Sequence, residues 1–156
     1  MAVALTRIGI EEAEQLWKMQ VEAFRELYQK YQDTDTSPAA EAIDKILARF
    51  AQPFTYYYYI QDDGRTVGAI RVVDKKDGHT AKRISPIFIM PAFRNKGYAQ
   101  TAMMLAEEKH GSANWELDTI LQEKGNCYLY EKMGYRKTGK TEVINDRLTL
   151  VFYKKE

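Results

Sequence analysis

The sequence predicts an α+β domain: a central, mostly antiparallel mixed sheet with one parallel β-α-β crossover and helices on both faces. Three observations carry this. Apolar residues recur at helical spacing in some stretches and alternate in others. Hairpin-type turn signals separate several of the alternating stretches. In the middle of the chain a helical stretch stands between two strands, which requires a parallel, right-handed connection.

The elements follow in order. Residues 2–8 read as a short strand. From Ile10 to Tyr31, apolar side chains at Ile10, Ala13, Trp17, Val21, Phe24, Leu27 and Tyr31 advance in steps of three and four, one helical stripe. Ser37-Pro38 supplies an N-cap and a proline at the first helical position, opening a second helix to about Phe50. Phe54–Ile60 and Thr66–Val73 are strand-like, with Asp63-Gly64 as the hairpin turn between them. The consecutive tyrosines Tyr56 to Tyr59 are expected to alternate between the two faces of the first of these strands.

A polar loop, Asp74 to His79, leads to a strand over Arg83–Met90. A helix over Gly97–His110 stops at Gly111, and Trp115–Ile120 is again a strand. A short helix, Asn126–Met133, is closed by Gly134. Strands near Tyr135–Glu142 and Arg147–Lys154 flank a turn at Asn145-Asp146. The order is β-α-α-β-β-β-α-β-α-β-β, with neither a repeat nor a linker, so residues 1–156 are expected to form one domain.

Composition narrows the function classes. Apolar residues make up 45 % and charged residues 29 %, ordinary for a globular chain and against disorder as the main state. Lys plus Arg number 23 and Asp plus Glu 22, so the basic excess of a nucleic-acid binder is missing. No apolar run approaches the ~20 residues of a membrane span, and Thr6 and Arg7 interrupt the amino terminus too early for a signal-peptide core. A single cysteine, Cys127, and two separated histidines, His79 and His110, argue against a metal cluster. The expectation is a cytoplasmic, metal-free protein.

The chemistry concentrates in Ile87-Phe88-Ile89-Met90-Pro91-Ala92-Phe93-Arg94-Asn95-Lys96-Gly97-Tyr98-Ala99. A buried strand ends at proline, and a short basic loop then opens a helix. The first helical turn presents unpaired amides and a partial positive charge. Gly97 and Ala99 leave the backbone open to a phosphate, and Arg94 and Lys96 add charge. Neither G-x-x-x-x-G-K-[ST] nor G-x-G-x-x-G occurs, against a nucleotide triphosphatase or a Rossmann dehydrogenase.

Arg94-Asn95-Lys96-Gly97-Tyr98-Ala99 resembles the R/Q-x-x-G-x-G/A signature of the GCN5-related N-acetyltransferases. Asn126-Cys127-Tyr128-Leu129-Tyr130-Glu131-Lys132-Met133-Gly134-Tyr135 resembles their second motif, N-x-x-x-x-Y-E-K-x-G-F/Y. The motifs stand in the family's order, and the element order matches its fold over essentially the whole chain. The resemblance implies acetyl-CoA as co-substrate, with its pyrophosphate on Arg94, Asn95, Lys96, Gly97, Tyr98 and Ala99, mostly through backbone amides. The strand edge at Ile87, Phe88 and Ile89 would pair with the pantetheine arm, and Asn126 and Lys132 would also contact the cofactor. Pro86 suits an edge or bulge, because it interrupts a ladder.

The implied reaction is direct attack of a neutral amine on the thioester within a ternary complex. A backbone amide of the splayed strand, that of Ile89, would meet charge developing on the carbonyl oxygen. Asn126 and Tyr130, four apart, share a helix face, and the Tyr130 phenol would protonate the departing sulfur. Tyr128 points about 200° away, and Cys127 reads as a packing residue. Asp118, Glu116 and Glu22 stand as alternatives for the base, and each also reads as an ordinary solvated carboxylate. Asp33, Asp35 and Glu41, near the connection Gln32 to Pro38, are the charges available to attract a cationic amine. The acceptor class, small molecule or peptide, is not readable. A non-catalytic acyl-CoA sensor would keep the loop without needing Tyr130, whose presence favours an enzyme. Edge strands near the end of the chain suit a homodimer.

Overall fold

The structure, a computed structural model, describes residues 2–156. Met1, part of the expected domain span, lies outside them. One seven-stranded sheet runs in the order β1-β2-β3-β4-β5-β7-β6. Its strands are β1 (Val3–Arg7), β2 (Thr55–Asp62), β3 (Arg65–Val73), β4 (Lys82–Ile89), β5 (Trp115–Ile120), β6 (Arg136–Val143) and β7 (Thr149–Lys155). Every neighbouring pair is antiparallel except β4 and β5. The helices are α1 (Ala13–Ala23), α2 (Arg25–Tyr31), α3 (Ile43–Phe50), α4 (Tyr98–His110) and α5 (Lys124–Lys132).

The sheet separates two apolar layers. On one face Leu5, Tyr58, Ile60, Ile70, Val72 and Ile84 pack with Tyr98, Met103 and Ala106 of α4 and with Cys127 and Tyr130 of α5. On the other, Tyr57, Tyr59, Ala69 and Phe88 pack with Leu16 of α1 and Ile46 of α3. The tyrosine tract therefore alternates as its strand period requires. Its polar ends find partners: Arg49 reaches the Tyr57 hydroxyl at 3.4 Å, and Tyr59 donates to Glu12 at 3.4 Å.

Two boundaries differ from the sequence expectation, and both differences bear on the site. The stripe from Ile10 to Tyr31 is divided. Ile10–Glu12 form a 3-10 turn, and the α1/α2 junction falls at Phe24, whose ring sits edge-on to Phe88 at 5.8 Å. The break releases the Ala23 carbonyl, which accepts from Arg94 Nη2 at 2.6 Å. The helix expected from Pro38 is only a 3-10 turn, Pro38–Ala40, and α3 starts at Ile43. Between them the carbonyls of Pro38 and Glu41 accept from Gln20 Nε2 at 3.0 Å and Trp17 Nε1 at 2.8 Å. Those bonds to α1 side chains draw the segment away from helical pairing.

Candidate active site

β4 and β5 touch only at their starts: Lys82 pairs with Trp115 and Arg83 with Glu116, and beyond Arg83 the strands part. A one-sided ladder remains, because β4 is still paired with β3 through Ile87, Phe88 and Ile89. Between Ile70 and Val72 the register slips, so Ser85 and Pro86 together oppose Arg71 in a β-bulge. Met90 donates to Val67 at 2.8 Å. In an antiparallel pair alternate residues turn both peptide groups the same way. Phe88 therefore faces β3, while Ile87 and Ile89 present theirs to the gap. Gly68 on β3 allows this approach: a Cβ there would stand 2.1 Å from the Phe88 carbonyl oxygen.

The free edge runs directly into the basic loop. A 3-10 turn over Pro91–Phe93 carries the chain round, and Asn95 and Gly97 both take left-handed φ, 62° and 83°. The first intrahelical bond of α4 is Thr101 to the Gly97 carbonyl at 3.1 Å. Among the described residues, no acceptor takes the backbone N–H groups from Asn95 through Gln100. Asn95, Lys96 and Gly97 are exposed, and the Gly97 Cβ direction is open space. This is a nest of donors at a positive helix end, fitted in chemistry and access to a phosphate.

Side chains of the loop divide between the cradle and its scaffold. Arg94 braces the loop: Nε donates to the Ile89 carbonyl at 3.0 Å, and Nη2 holds the Ala23 carbonyl. The Tyr98 ring is buried and its hydroxyl donates to Asp62, so the residue offers the cradle only its amide. Lys96 has no ion-pair partner among the described residues and stands exposed beside the open amides.

Across the gap, α5 carries the second constellation. Asn126 Nδ2 lies 3.5 Å from Thr119 Oγ1 of β5. Tyr130, only 8 % exposed, packs edge-on to Tyr135. Burial, with the Asp118 charge adding to it, pushes the phenol up to about 12, so it holds its proton at neutral pH. Its hydroxyl has no partner among the described residues. Tyr128 is 70 % exposed on another side of the helix. The Cys127 thiol is buried near the Ile120 and Leu121 carbonyls, at 3.8 and 3.9 Å. Lys132 is exposed in the last turn of α5.

The candidate carboxylates differ in what holds them. Arg83, on the last β4 residue paired with β5, forks to Glu116 and Asp118 at 2.9 Å each. This clamp spans the point where the strands part. Its sequence signal was the shared parity of Glu116 and Asp118, which needed Arg83 on the neighbouring strand to acquire meaning. Glu22 is exposed on α1 and lines a surface groove with Glu11, Glu14 and Lys18. Asp33 closes its own turn, accepting from the amides of Asp35 and Thr36 at 3.0 and 2.8 Å. Glu41 is held bidentately by Arg49 at 2.9 and 2.8 Å and also by Gln20. Asp33 and Glu41 are thus engaged in the scaffold, leaving Asp35 as the exposed acid of that loop. Among the described residues, no group of three or more His, Cys, Asp or Glu is placed to hold a metal ion, and no helix is long and apolar enough to cross a membrane.

Solved structures share this fold. Spermidine N-acetyltransferase from Vibrio cholerae, in complex with CoA and spermine, superposes with a TM-score of 0.75 at 15 % identity, over 97 % of this chain and 94 % of that one. PaiA N-acetyltransferase from Thermoplasma acidophilum, in complex with coenzyme A, gives 0.70 at 15 % identity, over 97 % and 98 %. At such identity the likeness is one of fold. No curated protein sequence matches the chain. The sequence model of the acetyltransferase (GNAT) family matches residues 13–135, most of the chain and both motifs, and on that match the protein belongs to the GNAT acetyltransferases.

Proposed function

We propose that this acetyltransferase moves the acetyl group of acetyl-CoA to a primary amine, by direct attack within a ternary complex. One observation carries the reading. The open edge of β4, with the Ile87 peptide groups and the Ile89 N–H turned to the gap, is followed across the Pro91–Phe93 turn by the unpaired amides of residues 95–100, which form a phosphate cradle. Acetyl-CoA supplies the acetyl group in activated thioester form. The Ile87 N–H and carbonyl hold the pantetheine arm as an added strand would be held, and Ile89, whose carbonyl Arg94 already engages, offers the cleft its N–H. The amides from Asn95 to Ala99 and the Lys96 ammonium hold the pyrophosphate, Arg94 keeps the loop in place, and Asn126 and Lys132 contact the arm from α5.

The acceptor amine attacks as the neutral base, shedding a proton from a group whose ordinary pKa is ~10. The Ile89 N–H faces charge developing on the carbonyl oxygen. As the carbon–nitrogen bond forms and the carbon–sulfur bond breaks, the Tyr130 phenol gives its proton to sulfur. The proton lost by the amine restores the phenol through water. Asp118, held by Arg83, is the candidate carboxylate whose charge reaches Tyr130. The spermine complex of the Vibrio cholerae relative supports an amine as acceptor.

A homodimer formed through β6 accompanies this reading. That strand is last in the sheet and all its residues are exposed, Val143 to 73 %.

The test is thiol release from acetyl-CoA against a panel of polyamines, amino acids and peptide amino termini. Amine-dependent thiol appearance, with acetylated product by mass, is expected. Saturable acetyl-CoA binding with no turnover across the panel would favour the non-catalytic sensor.

A further inference from the structure

Among the described residues, Arg71 is the one buried arginine, and no carboxylate forms an ion pair with it. It is 9 % exposed and lies on β3, opposite the Ser85-Pro86 bulge. Arg49, a half-buried arginine on α3, forms an ion pair with Glu41 at 2.8 Å. Arg71 instead donates from Nη1 to the Ser85 carbonyl at 2.9 Å, and from Nη2 to Gln52 Oε1 and Thr55 Oγ1 at 3.3 Å each. Its Nε–H is sealed from solvent and unpartnered. Burying a guanidinium without a counter-charge is costly.

The bulge it occupies decides which way β4 faces. In a regular ladder Arg83, Ser85, Ile87 and Ile89 would share one direction. The extra residue reverses the phase, so Ile84, Ile87 and Ile89 share one apolar layer and Phe88 enters the other. The same reversal turns the peptide groups of Ile87 and Ile89 towards the gap. Pro86 has no N–H to leave stranded at the bulge. The Ser85 carbonyl does need a donor, and Arg71 provides it.

We infer that Arg71 is a positioning residue for acetyl transfer: by holding the Ser85 carbonyl it fixes the bulge, and with it the phase of the cofactor-facing edge of β4. This rests on the reading of that edge as the pantetheine track. It acts through Ser85, Ile87 and Ile89, not on the reacting atoms.

The experiment compares wild type, Arg71→Met, Arg71→Lys and Arg49→Met. Coenzyme A itself is titrated by calorimetry well below each melting temperature, and the KM for acetyl-CoA is measured beside the KM for the amine. Arg71→Met is expected to weaken CoA and raise the acetyl-CoA KM about tenfold or more, the scale of one lost charge-assisted hydrogen bond, with the amine KM nearly unchanged. Arg71→Lys keeps a donor and recovers part of that affinity. Arg49→Met loses melting temperature but keeps CoA affinity. If Arg71→Met does not fold, Arg71→Lys decides: an intermediate affinity supports the inference, and wild-type affinity overturns it. Wild-type CoA affinity in folded Arg71→Met, or equal weakening in Arg49→Met, also overturns it. Failure of the wild type to bind CoA would instead refute the cleft assignment, and the role of Arg71 with it.

Discussion

Tyr130 combines burial, a proton held up to about 12 and a hydroxyl that no protein group takes. A proton donor to a departing thiolate must be protonated and unengaged at neutral pH, as this phenol is; the upward shift itself makes it a weaker acid. Tyr130→Phe is expected to lower kcat about 10²-fold, the lower range for a positioned general acid, with little change in the acetyl-CoA KM. Steady-state thiol release measures both, and unchanged turnover would remove the residue from the mechanism. His110, outside the cleft, predicts a pH dependence. Its Nδ1 is 2.7 Å from the Asp74 carboxylate, which can only accept, so Nε2 accepts from the Tyr58 hydroxyl at 2.8 Å. Burial outweighs Asp74 and holds the imidazole below its ordinary 6.5. The folded state then binds fewer protons than the unfolded one, and stability falls as pH drops through about 6.5, levelling off below the folded value. Urea midpoints at pH 7.5 and 5.5 check this: the lower pH should give the lower midpoint, and His110→Gln should flatten the difference. A sequence can nominate such residues by type and spacing, but their partners are set by folding. Arg94 was legible as a basic residue in the loop, yet its bond to Ala23 depends on a helix break at Phe24 with no local signal. Asp33 and Glu41 were legible only as charges, because the groups that hold them are set by the turn and by α1 and α3.

Among the elements, β4 carries the edge proposed to face the cofactor, and β3 sets its register. Gly68 is a glycine because the Phe88 carbonyl occupies the place of its Cβ. Gly68→Ala must force β3 and β4 apart, costing about 1–3 kcal/mol as overpacking does. On the proposed reading of β4 as the cofactor-facing edge, coenzyme A affinity should fall with stability. Chemical denaturation and a CoA titration on one preparation test the pair of effects, and a variant as stable as wild type would contradict the close approach. Strand and turn chemistry made much of this level readable. Asp63-Gly64 closes its hairpin with both residues at positive φ, 51° and 84°, and Trp115–Ile120 has the bounds its alternation predicted. Pro86 announced an edge or bulge. The late start of α3 was hidden, because the capture of the Pro38 and Glu41 carbonyls involves side chains from α1, some twenty residues earlier.

At the scale of the whole molecule, the order of periodicities was enough to imply the mixed sheet, and the single parallel pair lies where a helix separates two strands. What the order alone could not convey is that this pair ends after Arg83 and Glu116, since strand divergence is a property of twist and packing. The open β6 edge makes a further prediction at this scale. Sedimentation equilibrium at micromolar concentration should give twice the chain mass, and Val143→Lys should shift it towards the monomer. A monomeric wild type would contradict the edge pairing. The central claim, that the gap between β4 and β5 and the amides of residues 95–100 form one acetyl-CoA site, is most directly tested by calorimetric titration with acetyl-CoA at low and raised salt. Saturable one-to-one binding that weakens with salt is the predicted result. No heat of binding at millimolar acetyl-CoA would contradict it.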